Sequence, residues 1–109
     1  MKQLGVQALA SHCAAFPSTL LLDVREPWEV AHAPLRLPGI ETRHVPLGAL
    51  PASLDTLDPA RPVVCVCHHG MRSAQAVAFL ERRGFESAWN LAGGIEAWST
   101  QVDPSVPRY

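Results

Sequence analysis

The chain has 109 residues, 48% of them apolar and 17% charged, which indicates one packed domain rather than a disordered chain. Nine basic and ten acidic side chains nearly cancel, so neither nucleic acid nor an anionic membrane is expected as the main partner. No apolar run is long enough to span a bilayer, and Gln7, Ser11 and His12 interrupt any export-signal core, so a cytoplasmic location is expected.

In chain order, Val6–Phe16 has a loose helical pattern that stops at Pro17. Thr19–Val24 (TLLLDV) is a short apolar run of strand character ending at Asp23-Val24-Arg25-Glu26. Pro27 can open a helix whose apolar side would be Trp28, Val30 and Ala31. Residues 33–53 are rich in Pro and Gly and read as loops, with a short strand near His44–Pro46. Pro62–Cys67 (PVVCVC) is the clearest strand, continuously apolar as in a parallel sheet covered on both faces. A helix follows over Arg72–Arg83, with Gly84 as its stop. Ser87–Leu91 reads as a last strand and Ile95–Thr100 as a last helix after Gly93-Gly94. The tail, with Pro104 and Pro107, is expected to be loosely held. Strands alternating with helices predict an α/β fold with a mainly parallel sheet, and such sheets bind ligands at the carboxyl ends of their strands.

That rule points to Cys67-His68-His69-Gly70-Met71-Arg72-Ser73, between the buried strand and the next helix. Such a loop can curl so that its N–H groups and the positive helix end form an anion site. A cysteine at its base would have a stabilised thiolate. Arg72 can add a permanent charge and a two-pronged hydrogen bond to an oxyanion, and Gly70 permits a turn that a side chain would block. These are the needs of a thiolate attacking an anionic substrate.

The run CHHGMRS resembles the active-site loop of the rhodanese family, C-x-x-G-x-R-S/T. Leu22–Glu29 (LDVREPWE) resembles the family's first-strand signature, and Leu91–Trp98 (LAGGIEAW) its closing glycine–glycine–helix signature. Together the resemblance spans roughly residues 4–100. It implies a single rhodanese-like domain with a central parallel sheet of about five strands, helices on both faces, and no cofactor or metal. It implies a sulfurtransferase in which Cys67 takes sulfur from a small anionic donor such as thiosulfate, becomes a persulfide, and passes it to cyanide, a thiol or a protein thiol. The segment Ala31–Pro46 departs from the family's G-H-I-P-G-A-x-N-I-P pattern: Pro38-Gly39 and Val45-Pro46 match, but Arg36-Leu37 stands where His-Ile is usual. That departure falls on the expected pocket wall and its substrate preference, not on the nucleophile.

Blander roles stand beside these. Cys65 lies inside the strand and reads as core; it shares a face with Cys67 but is too far along an extended strand to pair with it unless the strand end bends. Cys13 reads as packing, and three cysteines without a metal-ligand spacing point to reduced thiols rather than disulfides or zinc. His68 and His69 either tune the thiolate or stand by while their peptide groups act. Met71 shapes the pocket mouth or covers apolar surface, and Arg72 grips an anion or braces the loop. Asp23 and Arg25 read as a structural ion pair supporting the loop. Glu26 and Glu29 read as helix N-terminal charges, Trp28, Trp89 and Trp98 as core or rim packing, and Arg82 and Arg83 as a solvated helix end. Two other functions compete. A cysteine phosphatase would need C-x5-R, whereas Cys67 and Arg72 enclose four residues. A non-enzymatic binding module would be read from loss of the loop residues, which are present; a sulfur relay whose acceptor is a protein thiol stays open.

Overall fold

A computed structural model describes all 109 residues. Five short strands form one parallel sheet: β1 (Lys2–Gly5), β2 (Leu20–Asp23), β3 (Glu41–His44), β4 (Val63–Val66) and β5 (Ala88–Ala92), in the order β1-β5-β4-β2-β3. The PVVCVC run is the central strand β4, and all four of its residues are buried because both of its faces are covered. β2 and β5 flank it, with Leu22 opposite Cys65 and Cys65 opposite Asn90. Their carboxyl ends converge where β4 runs out.

Side-chain alternation divides the core. Leu20, Leu22, Cys65 and Ala88 face the helices α3 (Leu50–Ser53) and α4 (Met71–Arg82), where Leu50, Ala76, Val77 and Leu80 meet them. Leu21, Val64, Val66 and Leu91 face α1 (Leu9–Ala15) and α5 (Gly94–Gln101) through Leu9, Cys13, Ile95 and Trp98. The result is the expected α/β architecture with helices on both faces. α4 stops where Gly84 turns left-handed at φ 89°, with Phe85 N–H on the Leu80 carbonyl and Gly84 N–H on that of Glu81.

The strand expected near His44–Pro46 is β3, ending at His44, and the stretch read as loops holds α3; four further expectations differ from the structure. The first strand begins at Lys2, ahead of the residues assigned from sequence. KQLG buries only Leu4, too few residues to show a period, and it is ordered by pairing with β5 as an edge. The helix expected over 6–16 is a short 3-10 turn, Val6–Ala8, leading into α1. In α2 (Pro27–His32) the expected apolar side is not the buried one: Trp28 is 63% exposed, whereas Glu29 is 3% exposed. Glu29 is buried because its carboxylate is fully partnered, as described below.

The tail is the fourth difference. It folds back across α5 instead of fraying. Val106 is buried beside Trp98, its carbonyl accepts the Ser99 hydroxyl at 2.6 Å, and Tyr109 reaches the carboxyl ends of β2 and β4. The altered segment also packs on this side: Leu37, Pro38, Gly39 and Ile40 line a surface cavity with Ala10 and Cys13 of α1. No helix is long and apolar enough to cross a membrane. Because Val106 fills core space, Val106→Ala is expected to cost about 1–2 kcal/mol in a chemical denaturation curve, where a loosely held tail would register no change.

Candidate active site

β4 delivers Cys67 to the floor of the loop, where the residue is 1% exposed. The chain turns at Gly70, whose φ of 103° favours glycine, and enters α4 at Met71. The N-terminus of α5 secures the back of the loop: Ile95 N–H binds the Cys67 carbonyl at 2.9 Å and Glu96 N–H that of His68 at 3.0 Å. A side chain at Gly94 would collide with both carbonyl oxygens, which explains the second glycine of the GG pair. A trans peptide points its N–H opposite its C=O, so the His68 and His69 amides face away from α5.

The Cys67 sulfur has two hydrogen-bond partners. Gly70 N–H donates to Sγ at 3.0 Å, and the Ser73 hydroxyl lies 3.2 Å from it. Ser73 Oγ in turn lies 2.5 Å from Asn90 Oδ1, and the Asn90 amide donates to the Gly70 carbonyl at 3.1 Å and to Gln3 Oε1 at 2.9 Å. Gly70, Arg72 and Ser73 thus lie around Cys67 as the spacing implies, but the fork of Arg72 is already engaged. Its two terminal nitrogens bind the two Glu29 oxygens at 2.6 and 2.8 Å. The expected two-pronged grip on an oxyanion is made on a carboxylate of the protein itself, the bracing role.

Glu29 is the hub of this network. Besides Arg72 it accepts the Glu26 N–H at 3.0 Å, closing a capping box on α2, and the Tyr109 hydroxyl at 2.8 Å. The Arg72 hydrogen bonds, outweighing burial, hold its carboxyl down at about 2. Glu29 therefore does act at its helix start, and it also holds Arg72. Asp23 and Arg25 form the expected ion pair at 2.8 Å, both essentially buried. Arg25 also donates to the Ala33 carbonyl and to Tyr109 Oη, each at 2.9 Å. Burial opposes the Arg25 charge, yet bonds to Asp23 and Tyr109 outweigh it and raise its pKa. Tyr109, lifted to about 12 chiefly by burial, bridges the two pairs and stacks on His68 at 3.9 Å.

His68 stacks on His69 as well, at 4.0 Å, and burial, then the neighbouring His69, lower its pKa. Met71 is 78% exposed beside the loop. Cys65 is core, with burial pushing its thiol up to about 12, and Cys13 is buried on the core side of α1. Sequence reading assigned no site role to Asn90, Gln3 or Tyr109. An asparagine inside an apolar strand is a signal that could have been used, because a buried amide needs partners. Tyr109 carries no such signal, since only the fold of the tail brings it near.

The low Glu29 pKa makes a stability statement. A carboxyl at about 2 when folded and near 4.5 when unfolded stabilises the fold above the higher value, and that stability is lost as pH falls through the lower one. Acid unfolding of the wild type should therefore steepen between those values, by an amount of order 3 kcal/mol. Glu29→Gln should flatten that part of the curve in denaturation measured against pH; an unchanged slope would count against the Glu29–Arg72 pair as its source.

Comparison with known proteins agrees with this geometry. The family model described as rhodanese-like domain matches residues 6–101. The chain is 32% identical over 104 residues to a putative sulfurtransferase, YtwF, of Bacillus subtilis, covering 95% of this chain and 96% of that one. It is 40% identical over 93 residues to a chloroplastic rhodanese-like/PpiC domain-containing protein of Arabidopsis thaliana, and there spans only 30% of its relative's length. A crystal structure of a rhodanese-like domain protein from Staphylococcus aureus superposes with a TM-score of 0.80 at 27% identity, over 100% of this chain and 99% of that one. With the sheet order, the Cys67 loop and the Gly93-Gly94 junction all in place, the chain belongs to the rhodanese-like domain family.

Proposed function

We propose that this protein is a sulfurtransferase that carries sulfur as a persulfide on Cys67. The observation that carries this reading is the Cys67 sulfur at the floor of a loop, with the Gly70 N–H aimed at it and four residues between it and Arg72. A relative of nearly equal length named as a putative sulfurtransferase supports the same class. The thiolate attacks the outer sulfur of a small anionic donor such as thiosulfate. The S–S bond of the donor breaks, sulfite leaves with its electron pair, and Cys67 holds a persulfide anion. Cyanide, a thiol or a protein thiol then attacks the outer sulfur and restores the Cys67 thiolate. Charge balances in both steps without a cofactor.

Electrostatics divides the labour. The Arg72 fork is engaged by Glu29, so the donor's charge falls mainly on the loop amides and the positive end of α4. The ring of four residues between Cys67 and Arg72 is tighter than the five of phosphatases and suits a sulfur atom better than a phosphoryl group. A protein thiol as acceptor is the second reading. The residues favouring it are Met71 beside the loop and Trp28 on α2, which leave large apolar surface exposed around a nucleophile that is itself buried. In the cytoplasm, the location expected for this chain, thiol acceptors of both kinds are available.

Intact-protein mass after brief exposure to thiosulfate tests the proposal. The wild type should gain one sulfur, about 32 mass units, reversed by cyanide or a thiol. Cys65→Ser and Cys13→Ser should gain it too, and Cys67→Ser should not. Equal gain in Cys67→Ser would overturn the assignment of the carrier.

A further inference from the structure

Asn90 lies at the centre of a closed set of hydrogen bonds around the reactive sulfur. Its orientation follows from its neighbours: Gly70 offers a carbonyl, which only the amide nitrogen can serve, so Oδ1 faces Ser73. Ser73 must then donate its single proton to Asn90. Reading around, the Cys67 thiol donates to Ser73 Oγ, Ser73 to Asn90 Oδ1, Asn90 to the Gly70 carbonyl, and Gly70 N–H to the Cys67 sulfur. From Cys67 through Ser73 and Asn90 to the Gly70 carbonyl the bonds run in one direction, so each strengthens the next.

The ring is complete only while the sulfur carries a proton. A thiolate has nothing to give Ser73 and needs a donor. The one mobile proton within reach is on the Ser73 hydroxyl, and it is held by Asn90. Either the thiolate keeps Gly70 N–H alone, or Ser73 turns to it and leaves Asn90 Oδ1 buried without a donor. Asn90 is 4% exposed, so no solvent replaces the lost bond cheaply. We propose that Asn90 is a positioning residue that governs the reactivity of Cys67 by competing with its sulfur for the Ser73 proton. The inference rests on Cys67 being the sulfur carrier and adds a residue that sets how readily it reacts.

Other titratable groups surround the loop: Arg72, His68 and His69 from the loop itself, Cys65 on β4, Asp23 and Arg25 at the end of β2, Glu29 on α2, Glu96 on α5, and Tyr109 from the tail. None of them hydrogen-bonds Sγ, so Ser73 is the contact through which a neutral residue can act. Removing Asn90 does not orphan the Gly70 carbonyl, which keeps the Ala74 N–H at 3.2 Å. The loop therefore retains a helical bond at its turn.

The test is the pH profile of alkylation of Cys67 by iodoacetamide, with each variant read against its own Cys67→Ser form to subtract Cys13 and Cys65. Asn90→Ala frees the Ser73 proton, so the profile should move to lower pH, with alkylation at a fixed mildly acidic pH rising about threefold. Asn90→Leu, nearer in volume, should do the same. In a Ser73→Ala background, where there is no hydroxyl proton to compete for, adding Asn90→Ala should produce no further change. That dependence on Ser73 separates competition for a proton from general loosening of the loop, which would act in either background. An Asn90 variant that unfolds as wild type does but reacts no faster overturns the proposal, as does an equal gain without Ser73. Alkylation needs no sulfur donor, so the outcomes separate: persulfide formation without an Asn90 effect removes only this inference, and an Asn90 effect without persulfide removes only the sulfur-transfer reading.

Discussion

The contact on which the site depends is the seating of the α5 N-terminus on the carbonyls of Cys67 and His68. It satisfies two helix-end donors that would otherwise face water, and two loop carbonyls that would otherwise compete for them. It also sets the polarity of the loop. With its carbonyls tied down on one side, the loop presents N–H groups on the other, the side of the Cys67 sulfur. Gly94 is the residue that makes so close an approach possible, because the loop backbone occupies the space where a Cβ would stand. The last signature of the sequence thus shapes the loop of the middle one.

A second constraint comes from burial of charge at the carboxyl ends of the strands. Asp23, Arg25, Glu29 and Arg72 are four charged groups within a small region, and three of them have almost no contact with solvent. Unpaired, any of them would be costly; paired and cross-linked through the Tyr109 hydroxyl, they form a rigid bracket beside the loop. The bracket fixes where Arg72 points. Its charge remains near the sulfur, but its hydrogen-bonding fork is directed at Glu29 rather than into the loop.

Much of the fold was legible because its signals are local. The apolar run PVVCVC, the stop at Gly84 and the helix opening at Pro27 each follow from a few adjacent residues, and all appear within a residue or two of expectation. The errors share a cause: they concern segments whose structure is decided by distant partners. β1 has only Leu4 to bury and exists through pairing with β5. The polar Glu29 is buried and the apolar Trp28 exposed because Arg72 and Tyr109 await the carboxylate. The tail has no helix or strand, yet Val106 is held by α5 and Tyr109 by groups remote in the chain.

The sequence by itself determined the chemistry available: a cysteine at the end of a buried strand, followed at fixed spacing by a glycine that can turn, an arginine, a serine and a helix. Those properties depend on neighbours within a few bonds, so spacing carries them. Only the tertiary structure decided how the groups are used. It turned Arg72 toward Glu29, drew the last residue of the tail onto His68, and set Asn90 of β5 against Ser73 of α4. A hydrogen bond depends on the separation and direction of two groups in space, and for residues far apart in sequence the packing of the sheet and its helices sets both.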